Sequence, residues 1–428
     1  MLSFKKLLIK NTTWLAIGDI FSMAILFVIT IIIARSLGDV AYGQFAFILA
    51  FAQLWQVLAE FGLSIIATRE MTNHKHDLQK FLNNFLSLKL IISIITFVLI
   101  IITVQFINKP PLIKNLIYIA GGYIVFYTFT EFLRSVFRAY EKFKFEAFIK
   151  ISQHIILFVL IVNAIYNHSL TQATYAYFWS AVYSTAITLV VIYKKFTHFR
   201  LAWDKKLIIY LLKESWPMAL ANMFVIVYFR IDTVMLSLIK GDQPTGWYNV
   251  AYLLIYSLSF IPYTIMNSIY PKLSQLAKTS LEQTRYIYRR SLLLIAVGGF
   301  IILGIANLII KPAIIFFYGN EFTPAIQIFY ILTLAVWFAY LSHVWLYTLN
   351  ALGKQTFYTL ATAIGMLINL WLNLKWIPAY SYTGAAWATV ITEMIIALII
   401  MIATEITIHS SSIKRREMPL PTPEKPFK

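Results

Sequence analysis

From residue 14 to residue 404 the chain is a succession of apolar runs about twenty residues long, parted by short loops. A bilayer core of about 30 Å needs roughly twenty apolar residues per helix. The runs fall at 14–34, 42–66, 85–107, 115–137, 149–166 and 171–193, then at 215–238, 247–270, 291–312, 324–349, 356–377 and 383–404. Twelve spans predict an all-α integral membrane protein. The charged fraction is 13 % and the mean hydropathy +0.74, against about 25 % charged residues in soluble domains. The basic start of the chain leads straight into a full-length apolar run, so a retained first helix is expected rather than a cleaved signal.

The net charge of +18 raises the question of nucleic acid, and its distribution answers it. With the N-terminus in the cytoplasm, 29 of the 36 Lys and Arg residues fall in inner loops or inner helix ends. Six lie at outer ends (Arg35, Lys109, Lys114, Lys240, Lys311, Lys375), and Arg230 alone lies deep within a span. Cationic loops favour the cytoplasmic face, so the charge sets topology and draws anionic lipid. No nucleic-acid partner is expected. A multi-pass membrane protein with both termini cytoplasmic is.

A weak internal repeat divides the chain. Gly38-Asp39 with Gly43 returns as Gly241-Asp242 with Gly246 at an offset of 203, and Ala139, Lys142 and Phe145 return as Ala351, Lys354 and Phe357 at an offset of 212. Six spans per half give two lobes inserted in the same direction, a parallel pseudo-repeat of the kind found in transporters that rock between two open states. The expected parts are an N-terminal lobe over 1–193, a basic amphipathic linker over 194–213 capped by Asp204, a C-terminal lobe over 214–404 and a basic cytoplasmic tail over 405–428.

The stretches IIIARSLGDVAYGQFAFILAF and AEFGLSIIATREM in the first half, ESWPMALANMF, RIDTVMLSLIKGDQPTGWYNVAYLL and SIYPKLSQL in the second, and YSYTGAAWATVITE near the end resemble the polysaccharide (O-antigen repeat-unit, Wzx-type) flippases, relatives of the multidrug and toxin extrusion (MATE) transporters. The resemblance implies a MATE-like fold of two lobes around a central cavity. It also implies an isoprenoid-diphosphate-linked oligosaccharide as substrate, moved from inner to outer leaflet, with other glycan-assembly membrane proteins as partners.

Charges inside spans cost roughly 2.5–3.5 kcal/mol each on insertion scales, so each asks for a reason. Arg230 lies past the midpoint of its span. Its planar, permanently charged donors suit a diphosphate, and a structural ion pair fits it equally. Asp232 stands about 200° away round the helix and should not pair with it. Arg134 and Arg138, one turn apart at an inner helix end, either draw an anionic headgroup inward or simply mark the inner face. Glu131 and His343 are related by the offset of 212 and either carry a coupling proton or Na⁺ or make interhelical polar contacts. Glu60 and Glu393 stand open between the same two readings, and Asp19 either caps or faces an inner vestibule. Tyr123 with Tyr127, and Tyr252 with Tyr256, have the helical spacing to stack on sugar faces. The chain has no cysteine, no phosphate-binding Gly-Lys loop and no HExxH, so no cofactor, metal site or enzymatic activity is expected. The alternative to a flippase is an ion-coupled exporter of drugs or organic cations, for which an acidic cavity is expected.

Overall fold

The computed structural model describes the backbone over residues 2–417 and the side chains over residues 11–410 apart from residue 75. The basic side chains before residue 11, and residues 418–428 of the tail expected over 405–428, lie outside the described residues. Everything described is helix and short connections. Ten helical stretches are long and apolar enough to cross a membrane, from Asn11–Asn73 to Thr356–Ser410.

The helices are α1 (Leu2–Leu54), α2 (Gln56–Glu60), α3 (Leu63–Asn73), α4 (Leu78–Gln105), α5 (Pro111–Ala139), α6 (Phe143–Tyr166), α7 (Leu170–Lys195), α8 (Lys205–Lys240), α9 (Asp242–Ser257), α10 (Phe260–Thr279), α11 (Leu281–Phe317), α12 (Pro324–Ala351) and α13 (Thr356–Glu417). Two of them contain a residue that cannot be helical. Gly38 in α1 has φ 79° and ψ 173°, and Ser381 in α13, three residues after Pro378, has φ 54° and ψ −134°. Each such residue separates two apolar runs that the sequence distinguishes.

The chain divides into two compact units. The first holds the residues up to Val250 with Ala313–Pro324; the second holds Ala251–Pro312 with the residues from Ala325 on. In the first, α1 packs along α6, and α5 and α6 pack on α7. Much of its apolar core gathers in two clusters among the described residues. One gathers Phe47, Ile100, Ile117 and Ile124, and the other Phe85, Phe132, Phe137 and Leu211. Helix α5 supplies both, with residues 113–124 in one and 129–139 in the other.

The two Gly-Asp turns meet within this unit. A Cβ on Gly43 would land on the carbonyl oxygen of Asp242, and a Cβ on Gly246 on that of Asp39. Only glycine lets the backbones come so close. The turns are laced together: Asp39 accepts from Gln243 and from the Trp247 indole, each at 2.9 Å, while Asp242 accepts from the Ser237 hydroxyl at 2.6 Å and pairs with Lys109.

Residues 197–204 are not helical. Alternate amides of this strap donate to a polar stripe on α4: Arg200 to Asn83 at 3.0 Å, Ala202 to Ser87 at 3.1 Å and Asp204 to Asn84 at 2.7 Å. A period of two is what an extended backbone presents. The Asp204 carboxylate then caps α8, accepting from the amides of Lys206 and Leu207 at 3.1 and 3.3 Å. Those amides, the Leu207 amide foremost, together with Lys80 at 3.3 Å, hold the Asp204 carboxyl below its ordinary range. Helix α8 runs on without interruption from this cap through residues 205–213, part of the segment expected to be an amphipathic linker, into the apolar run that follows.

In the second unit hydrogen bonds join the helices at several levels. Tyr340 donates to the Leu258 carbonyl and Tyr347 to Asn267, both at 2.7 Å. Tyr288 donates to Glu405 at 2.8 Å and accepts from the Trp345 indole at 2.9 Å.

Candidate functional site

Within the first unit, where the two clusters along α5 meet, lies a cavity of about 470 Å³. Volumes of this order hold a drug-sized ligand. Helix α1 contributes Asp19, Ser22, Met23, Leu26 and Gln53, and α2 contributes Gln56. Helix α5 presents Tyr123, Tyr127, Glu131 and Arg134, successive positions of one helical face. Helix α6 presents Lys150, Gln153, His154 and Leu157, likewise one face, and α8 closes the wall with Ile226, Phe229 and Arg230.

A run of alternating charges supports this wall. Lys150 donates to Asp19 at 2.7 Å and lies 3.6 Å from Glu146. The fully buried Glu146 accepts two hydrogen bonds from Arg138, at 3.0 and 2.6 Å. Arg138 also lies 3.6 Å from Glu131, which pairs with Arg134. Arg134, 2 % exposed, reaches Gln153 at 3.3 Å, and its Nε has no hydrogen-bond partner. Three carboxylates and three cations cancel along this chain, which is how buried charges are tolerated. The lining itself is not balanced. It holds Arg134, Lys150 and Arg230 against Asp19 and Glu131.

Five of the predicted site residues therefore come together: Arg230, Arg134, Glu131, Tyr123 and Tyr127. Asp19, left open between two roles, joins them. The two tyrosine rings lie 5.7 Å apart, tilted by 37°, and Tyr177 meets Tyr123 edge-on at 5.4 Å. Arg138 stands behind the lining, turned to Glu146. Asp232 is buried and accepts from the Tyr248 hydroxyl at 2.7 Å. Glu60 accepts from the Ser64 amide at 3.0 Å and lies 3.4 Å from the fully buried Lys89, whose ammonium also donates to the Ala59 carbonyl at 2.6 Å.

The remaining predicted residues belong to the second unit. Glu393 is buried and accepts from Tyr256 at 3.3 Å, and Tyr256 stacks on Tyr252 with ring centres 4.2 Å apart. His343 bonds through Nδ1 to the Ala339 carbonyl one turn back, at 2.8 Å.

Sequence reasoning passed over Lys150, Gln153 and His154. Lys150 counts there among the inner-face cations. The available signal was Glu146 and Lys150 one turn apart across the start of an apolar run, a spacing that pairs charges.

Comparison with known proteins places this geometry. Residues 8–277 match the family model described as polysaccharide biosynthesis protein. An uncharacterised membrane protein of Methanocaldococcus jannaschii is 22 % identical over 415 residues, covering 92 % of this chain and 96 % of its own. Among solved structures, the lipid II flippase MurJ in an inward closed conformation is similar with a TM-score of 0.76 and 15 % identity, over 95 % of this chain and 93 % of its own. An inward-facing multidrug resistance MATE family transporter of the MOP superfamily is similar with a TM-score of 0.73 and 12 % identity, over 95 % and 100 %. A MOP superfamily transporter from Pyrococcus furiosus, described by the reverse polarity of its binding pocket, gives 0.59 and 14 %, over 95 % and 96 %. The chain is a multi-pass membrane protein with the fold of the MATE and MurJ transporters, and it belongs to the polysaccharide biosynthesis protein family.

Proposed function

We propose that the protein flips an isoprenoid-diphosphate-linked oligosaccharide from the cytoplasmic to the outer leaflet of a prokaryotic inner membrane, by alternating access. The observation that carries this reading is the cavity lining, with three cations against two carboxylates and a pair of tyrosines beside them. Guanidinium groups match phosphate oxygens with paired donors, and tyrosine rings give a sugar both an apolar face and a hydroxyl partner. The membership in a polysaccharide biosynthesis family and the fold shared with a lipid II flippase support it.

The membrane domain on this reading has twelve crossings. Asn11–Asn73 and Thr356–Ser410 are 63 and 55 residues long, and about twenty residues suffice for one crossing. Each crosses twice, turning at Gly38 and at Ser381. Both termini are then cytoplasmic, and the halves 1–193 and 214–404 form the two lobes. Arg230 and Arg134 take the diphosphate, Tyr123 and Tyr127 the proximal sugars, and the isoprenoid tail stays in lipid. Glu131, held between Arg134 and Arg138, is the carboxylate through which an H⁺ or Na⁺ gradient acts.

Deleting the gene in its host tests this. Sugar-loaded isoprenoid diphosphate should accumulate on the inner leaflet, with rescue by wild type and by Arg230→Lys in part, but not by Arg230→Ala. The alternative, an ion-coupled exporter of organic cations, predicts no such accumulation and a gain in sensitivity to those cations.

A further inference from the structure

The second unit carries a groove of about 340 Å³ between α10 and α11, lined by Ile269, Lys272, Tyr286, Ile287, Arg290, Ser291 and Leu294. Its depth in the bilayer follows from the sequence. On α11, Arg290 and Lys311 bracket twenty residues without a charge, 291–310, which is one hydrocarbon thickness. Arg290 therefore stands at the boundary between acyl chains and headgroups. On α10, Lys272 ends a charge-free stretch that begins at residue 243, and stands at the same boundary. The hairpin from 272 to 290 holds five basic residues and one acidic one, which assigns this boundary to the cytoplasmic face.

The two cations have no carboxylate within ion-pair distance among the described residues, and both are exposed. Arg290 is set in place by the Tyr286 ring, its guanidinium carbon 5.3 Å from the ring centre. Below them the groove wall is apolar, and Leu294 is 57 % exposed. We infer that this groove binds an anionic phospholipid of the inner leaflet, its phosphate between Lys272 and Arg290 and an acyl chain along Ile269, Ile287 and Leu294. Water would be a poor occupant of the apolar floor, and a zwitterionic lipid would bring its own cation against the two on the protein. Basic pockets between transmembrane helices on the cytoplasmic side recognise anionic headgroups in this manner. The site shares no residue with the cavity lining and does not depend on the transport reading.

Native mass spectrometry of the full-length protein, extracted from bilayers of equal phosphatidylglycerol and phosphatidylcholine, tests it. Wild type should retain phosphatidylglycerol with an enrichment on the order of tenfold. The Lys272→Gln, Arg290→Gln double variant should lose that enrichment. Lys272→Arg with Arg290→Lys should keep most of it, and Arg285→Gln, nearer the loop, should keep all of it. No enrichment in wild type, or the same enrichment in the double glutamine variant, would overturn the assignment. So would a groove that prefers an added isoprenoid diphosphate over phosphatidylglycerol.

Discussion

A single buried carboxylate organises the cations behind the cavity. Glu146 holds Arg138 with two hydrogen bonds and stands one turn from Lys150. Replacing it by glutamine keeps the shape and leaves Arg138 with only the more distant Glu131, at 3.6 Å, as counter-charge. Breaking a buried pair from one side costs about 3–5 kcal/mol. Glu146→Gln should therefore lower the melting temperature of the detergent-solubilised protein by several degrees, whereas Asp232→Asn, which retains an acceptor for Tyr248, should lower it less. Equal effects would mean that Glu146 is not the anchor. Residue identities of this kind were only half legible in the sequence. Arg230 stood out because one charge deep within an apolar run is rare. Lys89 and Lys150 did not, because near a helix end a topology cation and a buried network cation look alike. What separates them is the packing of α4 on α2 and of α6 on α1, which no single run displays.

At the scale of elements, the crossing of the two Gly-Asp turns is the tightest contact between helices described here. Gly43→Ala places a methyl group on the Asp242 carbonyl, and Gly246→Ala one on that of Asp39. Either should destabilise the protein by about 1–3 kcal/mol, the usual cost of forcing atoms into a filled contact. Gly304→Ala, where a Cβ meets nothing within 4 Å, should be silent in the same thermal melt. The repeat was readable as two similar turns; that the turns clasp each other was not, since recurrence says nothing about contact.

The strap over 197–204 supplies a second test. Its amides are held by Asn83, Asn84 and Ser87, so Asn84→Leu should expose the strap to added protease, while Asp204→Asn should spare the α8 cap. The Asp204 carboxyl lies below its ordinary range because the folded state favours its charged form. Its contribution is complete above the usual carboxylate value and is lost as pH falls through the lowered one. Cleavage of the strap should thus rise in acid below the ordinary carboxylate range, and not between pH 6 and 8. The sequence pointed to Asp204 as a cap, since an aspartate before an apolar-periodic segment is a common helix start. It gave no hint that the segment continues into α8, because amphipathic patterning describes a face and not an axis.

For the whole molecule, apolar run length and basic-loop alternation already defined a multi-pass helical membrane protein. They did not reveal that α8 packs with the helices of the first half. In the structure Gly62, at φ 71°, lies against Ser215 and Met218 of α8, and α8 brings Arg230 to a cavity otherwise built by α1, α2, α5, α6 and α7. The most direct test of the account is the affinity of the purified protein for an isoprenoid-diphosphate oligosaccharide, wild type against Arg230→Ala. A charge-assisted hydrogen bond is worth about 1.5–3 kcal/mol. The account predicts affinity lower by roughly ten- to a hundredfold in Arg230→Ala, and no competition from organic cations. Equal affinity in the two proteins, or displacement of the glycolipid by an organic cation, would contradict it.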